Sequence, residues 1–309
     1  MKIIMLDRAT LGFDAKVDVF KDLGEFISYD VTLEKDVQER IKDADIVITN
    51  KVIITKDHMD KSSLKLICIS ATGMNNVDLE HAKKSNIEVK NVAGYSTSSV
   101  VQLSFAMMFH FIQKLSYYKK YVDDGKWEKS DIFTHIDEPF YDLDKKRLGI
   151  IGLGNIGENL AKKAQAFDCE VVYYSTSGAN NNSKYKQVSL EELLRSSDII
   201  SIHCPLNDKT QDLLNYENMK SIKKGAILLN LGRGGIINEK DLAKIIDEQE
   251  IYCGIDVVSK EPILSTNPLL KVKNKEQLLL TPHIGWASIE ARTRLIKAVA
   301  KNIETFKAK

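Results

Sequence analysis

The chain has 309 residues, with 44 Lys and Arg against 43 Asp and Glu and a hydrophobic fraction of 43%. That length suits two domains and that composition an ordinary globular protein. The net charge of +1 offers no electrostatic handle for nucleic acid or an anionic membrane, so neither is expected as a partner. Cys68, Cys169, Cys204 and Cys253 lie far apart with no C-x-x-C pair. They read as buried free thiols in a reducing, cytoplasmic compartment, with no disulfide or metal site expected.

The opening run Met1–Asp7 is too short for a secretory signal and reads as a first strand, Lys2–Leu6. Further strands are expected at Ile27–Val31, Asp45–Thr49, Leu64–Ser70 and Glu88–Asn91. They continue at Arg147–Gly152, Glu170–Tyr174, Asp198–His203, Ala226–Asn230, Ile251–Asp256 and Gln277–Thr281. Helical periodicity lies between many of them, as at Asn155–Phe167 and Asn238–Gln249. One long helix is expected from about Ser98 to Asp123, and a last one from about Ser288 to Phe306. Asn180–Ser183 reads as a loop.

Between Lys90 and Lys114 there is no charged residue. Asn91, Ser96, Thr97, Ser98, Ser99, Gln102, Ser104 and His110 break its hydrocarbon character, so it reads as a buried or interface helix and not a membrane span. Val100–Ile112, with Met107, Met108, Phe109 and Phe111, is the expected contribution to a homodimer interface.

Strand-helix alternation of this kind predicts an α/β protein with two doubly wound parallel sheets. The first takes the chain from Met1 to about Ser98, and the second runs from about Arg147 to Thr281.

The run Gly152-Leu153-Gly154-Asn155-Ile156-Gly157 follows an apolar strand and opens a helical pattern. This is the G-x-G-x-x-G dinucleotide fingerprint in the setting it requires. Gly152 permits the tight turn, Gly154 admits backbone to a pyrophosphate, and Gly157 lets helix and strand pack closely. The next strand should end on an acid for the ribose hydroxyls. It ends instead in Ser175-Thr176-Ser177, and no Arg follows, so NAD and NADP both stay open. Lys184 and Lys186 are the nearby cations, read first as solvated.

Three polar groups follow apolar strands where open α/β sheets place ligands. They are Arg233 in Gly232-Arg233-Gly234-Gly235, the acids Asp256 and Glu261 after the strand at 251–256, and His283 in Pro282-His283-Ile284-Gly285. A planar guanidinium suits a carboxylate. An imidazole beside a carboxylate suits proton transfer to a carbonyl oxygen. Each has a bland alternative alone; their conjunction points to a keto-acid reductase.

With Ser70–Asp78, Gly94–Gln102, the glycine fingerprint, His203-Cys204-Pro205-Leu206, the Arg233 loop, Asp256-Val257 with Glu261-Pro262, and Pro282–Gly285, the chain resembles the D-isomer-specific 2-hydroxyacid dehydrogenase family over nearly its whole length. The resemblance implies two Rossmann/flavodoxin-like domains with an active-site cleft between them. A discontinuous substrate domain would take 1–98 plus 288–309, and an NAD(P)-binding domain 99–287. It also implies dimerisation through the cofactor domain.

The implied catalytic residues are Arg233 on carboxylate and carbonyl, His283 as proton donor and acceptor, and Glu261 as its partner. Cofactor contacts would come from Thr97, Gly152, Gly154, Asn155, Ile156, Gly157, Ser175, Cys204, Pro205 and Asp256. Asp256 would hold the nicotinamide carboxamide. Substrate contacts would come from Arg233, the amides of Thr72 and Gly73, Lys51 and Trp286, with Lys51 equally readable as a solvated loop residue.

Thr49-Asn50-Lys51, Gly125-Lys126-Trp127 with Asp131–Phe133, and His283–Ser288 resemble the glycerate dehydrogenase/hydroxypyruvate reductase branch. The expected function is hydride transfer between a nicotinamide and C2 of a small 2-keto or D-2-hydroxy acid. Alternatives are a reductase of bulkier keto acids and a dinucleotide-sensing, corepressor-like binding protein.

Overall fold

A computed structural model describes residues 1–180 and 182–309. Asn181, within the expected 180–183 loop, lies outside the described residues. The chain divides into two compact units, Met1–Ser96 with Trp286–Lys309, and Thr97–Gly285.

The first unit alternates β1 (Lys2–Met5), β2 (Glu25–Ser28), α1 (Glu34–Ile41), β3 (Ile46–Thr49), α2 (Lys56–Asp60), β4 (Leu66–Ile69), α3 (Leu79–Lys84) and β5 (Glu88–Lys90). The strands form one parallel sheet in the order β2-β1-β3-β4-β5. β2 pairs from Glu25 to Ser28, two residues before the expected Ile27–Val31, because its register on Lys2–Met5 ends at Ser28. Tyr29 O then accepts a hydrogen bond from Arg8 N instead of continuing the ladder.

The second unit begins with α4 (Thr97–Gln113) and α5 (Leu115–Asp123). The single long helix expected there is broken at Lys114, whose left-handed backbone (φ 48°) cannot continue a right-handed helix. There follow β6 (Arg147–Ile151), α6 (Asn155–Ala164), β7 (Glu170–Tyr174), β8 (Lys186–Gln187), α7 (Leu190–Ser196), β9 (Ile199–Ile202), α8 (Tyr216–Met219), β10 (Ile227–Asn230), α9 (Glu239–Glu248), β11 (Tyr252–Ile255) and β12 (Leu278–Leu280). Their sheet is parallel, in the order β12-β11-β10-β9-β6-β7-β8. The chain then returns to the first unit as α10 (Ile289–Lys307).

Alternation along the strands decides which face each helix covers. In the first unit Ile3, Met5, Ile46, Ile48 and Leu66 pack against Leu295, Val299 and Ile303 of α10. Ile4, Val47, Ile67 and Ile69 face the opposite layer, with Val37 and Ile41 of α1. In the second, Leu148, Ile150 and Leu229 pack under α4 and α6. Ile200, Ile202 and Leu228 pack under α7 and α9. Gly157, Leu160, Ala161 and Ala164 form the buried stripe of α6 at helical spacing.

α4 corrects the reason for expecting a dimer face across Val100–Ile112. Val100, Val101, Met107, Met108, Phe111 and Ile112 are hidden in the unit's own core. What α4 leaves partly outside is Phe105 and Phe109, which pack with exposed Phe167. Among the described residues no helix is long and apolar enough to cross a membrane. All four cysteines are buried and unbridged. Burial pushes the Cys68 thiol up to about 12 and raises that of Cys253 further.

Candidate active site

The strand order of the second unit arrays the predicted residues along one edge. Ser175 follows β7 and the glycine loop follows β6. His203–Pro205 follow β9, the Arg233 loop β10, Asp256 and Glu261 β11, and His283 β12. Neighbouring strands lie about 4.8 Å apart, so segments distant in sequence become adjacent, as where β6 pairs with β9, Leu148 opposite Ile199.

The glycine loop is shaped by its neighbours. Gly152 has φ +92°, and a Cβ there would lie 2.6 Å from Cys204 N. At Gly157 a Cβ would lie 2.6 Å from Gly152 O, so the helix can approach the strand only without a side chain. At Gly154, the N-cap of α6, a Cβ would meet nothing within 4 Å. Asn155 and Ile156 open the helix, so their N–H groups belong to the free N-terminal turn.

Around this loop, polar atoms lack partners among the described residues. Ser175 Oγ is buried without a hydrogen bond. His203 Nε2 pairs with Ser201 Oγ at 2.8 Å, while its buried Nδ1 has no partner. Burial lowers the His203 imidazole to about 4, so it is neutral near pH 7. An open glycine, a free helix N-terminus and unpaired polar atoms fit a dinucleotide. Cys204 is buried and its thiol is pushed up to about 11 by that burial, so it offers packing and backbone, while Pro205 is exposed. Lys186 pairs with Glu192 at 3.2 Å, and Lys184 lies over the Tyr185 ring, 5.3 Å from its centroid.

On the other half of the edge, Asn230 braces the arginine loop. Its Nδ2 donates to Arg233 O at 2.9 Å and its Oδ1 accepts from Gly232 N at 3.1 Å. A Cβ at Gly234 would lie 2.0 Å from the Val258 carbonyl carbon. The glycine therefore lets the Arg233 loop run against the segment that carries Glu261. The Arg233 side chain is exposed, and Nη1 donates to Gly232 O at 2.9 Å.

His283 and Glu261 meet, Nδ1 to Oε2, at 2.7 Å. Glu261 Oε1 also accepts from Val258 N at 3.2 Å. Asp256, 3% exposed, accepts from Thr281 Oγ1 at 2.6 Å, Ile284 N at 2.9 Å and Gly285 N at 2.8 Å. Its carboxylate thus fastens the turn that presents His283, a task the sequence did not suggest. Thr97 opens α4.

The remaining predicted residues lie in the first unit. Lys51 is exposed on the loop after β3, and Thr72 and Gly73 follow β4, with Thr72 Oγ1 donating to Val92 O at 3.0 Å. Trp286 packs edge-on to Tyr95, ring centroids 6.4 Å apart.

A family model for the NAD-binding domain of D-isomer-specific 2-hydroxyacid dehydrogenases matches residues 105–285. A hydroxypyruvate reductase of Blautia hydrogenotrophica is 39% identical, over 99% of this chain and 97% of that protein. A glycerate dehydrogenase of Methylorubrum extorquens is 34% identical, over 99% and 96%. Among solved structures, an acyclic imino acid reductase in complex with NADPH and D-Arg superposes with a TM-score of 0.86. It is 29% identical, with 100% of this chain and 97% of that chain covered.

The two loop glycines should separate folding from ligand binding. Gly154→Ala is expected to melt with the unaltered protein yet bind a dinucleotide more weakly. Gly152→Ala should lose about 1 kcal/mol or more of stability, because it strains a positive φ and meets Cys204. Thermal denaturation and cofactor fluorescence titration check both.

Proposed function

The chain belongs to the D-isomer-specific 2-hydroxyacid dehydrogenase family, and we propose that it reduces hydroxypyruvate, or a closely similar small 2-keto acid, to the D-2-hydroxy acid. The observation that carries the proposal is the 2.7 Å His283–Glu261 pair on the strand edge that also carries Arg233. The relatives named for hydroxypyruvate reduction and glycerate dehydrogenation support the substrate.

The chemistry follows from these side chains. Arg233, exposed at its glycine loop, binds the substrate carboxylate and polarises the C2 carbonyl. Glu261 engages His283 Nδ1, which leaves Nε2 to deliver a proton to the C2 oxygen. Gly152–Gly157, Ser175 and Cys204-Pro205 would hold a nicotinamide dinucleotide, which when bound would supply the hydride. In the reverse direction His283 takes the hydroxyl proton, and Glu261 stabilises the imidazolium. Asp256 keeps the His283 turn in place, and with Thr97 it would help hold the nicotinamide. Lys51, Thr72, Gly73 and Trp286 contribute to substrate binding. The buried thiols suit a reducing, cytoplasmic setting.

Turnover of hydroxypyruvate by His283→Ala should fall by roughly 10²-fold or more, while the cofactor still binds. Near-unaltered turnover in a coupled nicotinamide absorbance assay would refute the assignment.

Both nicotinamide cofactors should serve. Ser175-Thr176-Ser177 places no acid to repel a 2′-phosphate and no guanidinium to attract one. Dissociation constants for NADH and NADPH are expected within about tenfold of each other, and Ser175→Asp should weaken NADPH selectively. A far larger preference in the unaltered protein would place the discrimination elsewhere.

The second unit also leaves Trp127, Ile132, Phe133, Ile136, Phe140 and Tyr141 exposed, besides the Phe105–Phe109–Phe167 cluster. Apolar surface of this extent needs a cover, and a homodimer through this unit supplies it. Multi-angle light scattering at micromolar concentration should give twice the chain mass, and a stable monomer would overturn the dimer.

A further inference from the structure

The segment that carries Glu261 has no regular structure of its own. Residues 257–267, between β11 and the 3-10 turn Pro268–Lys271, form no helix or strand, and 259–266 are exposed. Such a stretch samples many conformations unless something outside it holds it. Yet Glu261 stands 2.7 Å from His283, and a pair that moves a proton tolerates little displacement.

Glu239 supplies the hold. It is the first residue of α9, after the N-cap Asn238 and six residues beyond Arg233. At a helix start an acid needs no further partner, because the free N–H groups favour it there. The Glu239 carboxylate nevertheless reaches to the Glu261 segment. Oε1 accepts from Ser259 N, and Oε2 accepts from Ser259 Oγ at 3.0 Å and from Asn267 Nδ2 at 2.6 Å. Asn267 is 7% exposed, and its Oδ1 accepts from Leu269 N at 2.9 Å, which anchors it at the start of the 3-10 turn. One carboxylate thus grips the segment on both sides of Glu261, two residues before it and six after. Three donors converge there, and an ionised carboxylate, an acceptor only, satisfies all of them. Pinning both ends removes conformational freedom from the stretch between.

Close packing completes the link. Gly234 lies against Val258, and Val258 N donates to Glu261 Oε1 at 3.2 Å. The Arg233 loop and the helix start that follows it are therefore the bed on which the Glu261 segment rests.

We propose that Glu239 is a positioning residue for the reaction, which keeps Glu261 against His283 by holding Ser259 and Asn267. This rests on the keto-acid reductase reading above. The Glu239 carboxylate is engaged by Ser259 and Asn267, so it acts on proton transfer through the segment and not on the substrate.

Glu239→Gln keeps the size and turns an amide N–H against donors. It should lower kcat for hydroxypyruvate by roughly tenfold. The dissociation constant for NADH should stay unchanged by fluorescence titration, while amide hydrogen exchange across 258–267 becomes faster. In a Glu261→Gln background the same substitution should lower kcat no further, because the group it positions is already gone. The pH profile of kcat/KM in Glu239→Gln should move towards that of Glu261→Gln. A merely structural role would multiply the two losses and leave the profile in place. That result, or an unaltered kcat in Glu239→Gln, overturns the inference while the reductase reading stands. Unaltered turnover in both Glu261→Gln and His283→Ala would overturn the reductase reading, and this inference with it. If Glu239→Gln does not fold, Glu239→Asp decides by the same cycle, since it keeps the charge at the helix start and shortens the reach.

Discussion

The turn that carries His283 depends on one buried carboxylate. Asp256 accepts hydrogen bonds from Thr281 Oγ1, Ile284 N and Gly285 N, and its own carbonyl oxygen accepts from His283 N at 2.9 Å. Hydrogen bonds to an ionised acceptor contribute about 1.5–3 kcal/mol each, enough together to hold a short loop in one conformation. His283 sits there at φ 54°, a left-handed backbone that few non-glycine residues adopt without such support. A Cβ at Gly285 would lie 2.8 Å from Asp256 Oδ2, so glycine is what lets the N–H come in to the carboxylate.

The same solution occurs in the first unit, where Asp7 gathers the N–H groups of Asn50, Lys51 and Val52. In both cases an aspartate just beyond one strand binds the exit loop of the neighbouring strand, β3 beside β1 and β12 beside β11. The reason is geometric. A parallel strand leaves its last N–H groups without ladder partners at the carboxyl edge, and a short acid on the next strand reaches them. The edge that receives ligands is thereby rigid before any ligand arrives, which spares the ordering cost at binding.

Much of this was legible in the sequence. Apolar runs located eleven of the strands, most readily the central ones such as β3, β4, β9 and β10, which are buried on both faces, so hydrophobicity is nearly continuous along them. The glycine loop, Arg233, Glu261 and His283 could be singled out because their residue types are constrained by chemistry. β8 was missed because Lys186–Gln187 is two residues long, polar and exposed, at the sheet margin. The break at Lys114 was missed because no glycine or proline marks it. The work of Asp7 and Asp256 was invisible for another reason. An aspartate after an apolar run reads as a turn residue, and the N–H groups it binds lie more than 25 residues further along the chain. Pairing across strands is a tertiary fact, which local pattern does not encode.

Stability and function part company in the treatment of buried polar atoms. Elsewhere in the fold such atoms are paired: Asn267 is held to Glu239, and Asp198 to Arg147 N and Lys223. Four sealed side-chain atoms among the described residues are not, those of Ser70, Ser175, Ser197 and His203. Ser197 precedes β9, but the other three stand directly at the carboxyl ends of β4, β7 and β9. An unpaired buried polar group costs about 1–3 kcal/mol. A fold selected for stability alone would replace these groups with apolar ones of similar shape. Their concentration at the edges where parallel sheets take ligands means that the deficit lies where a ligand can offset it.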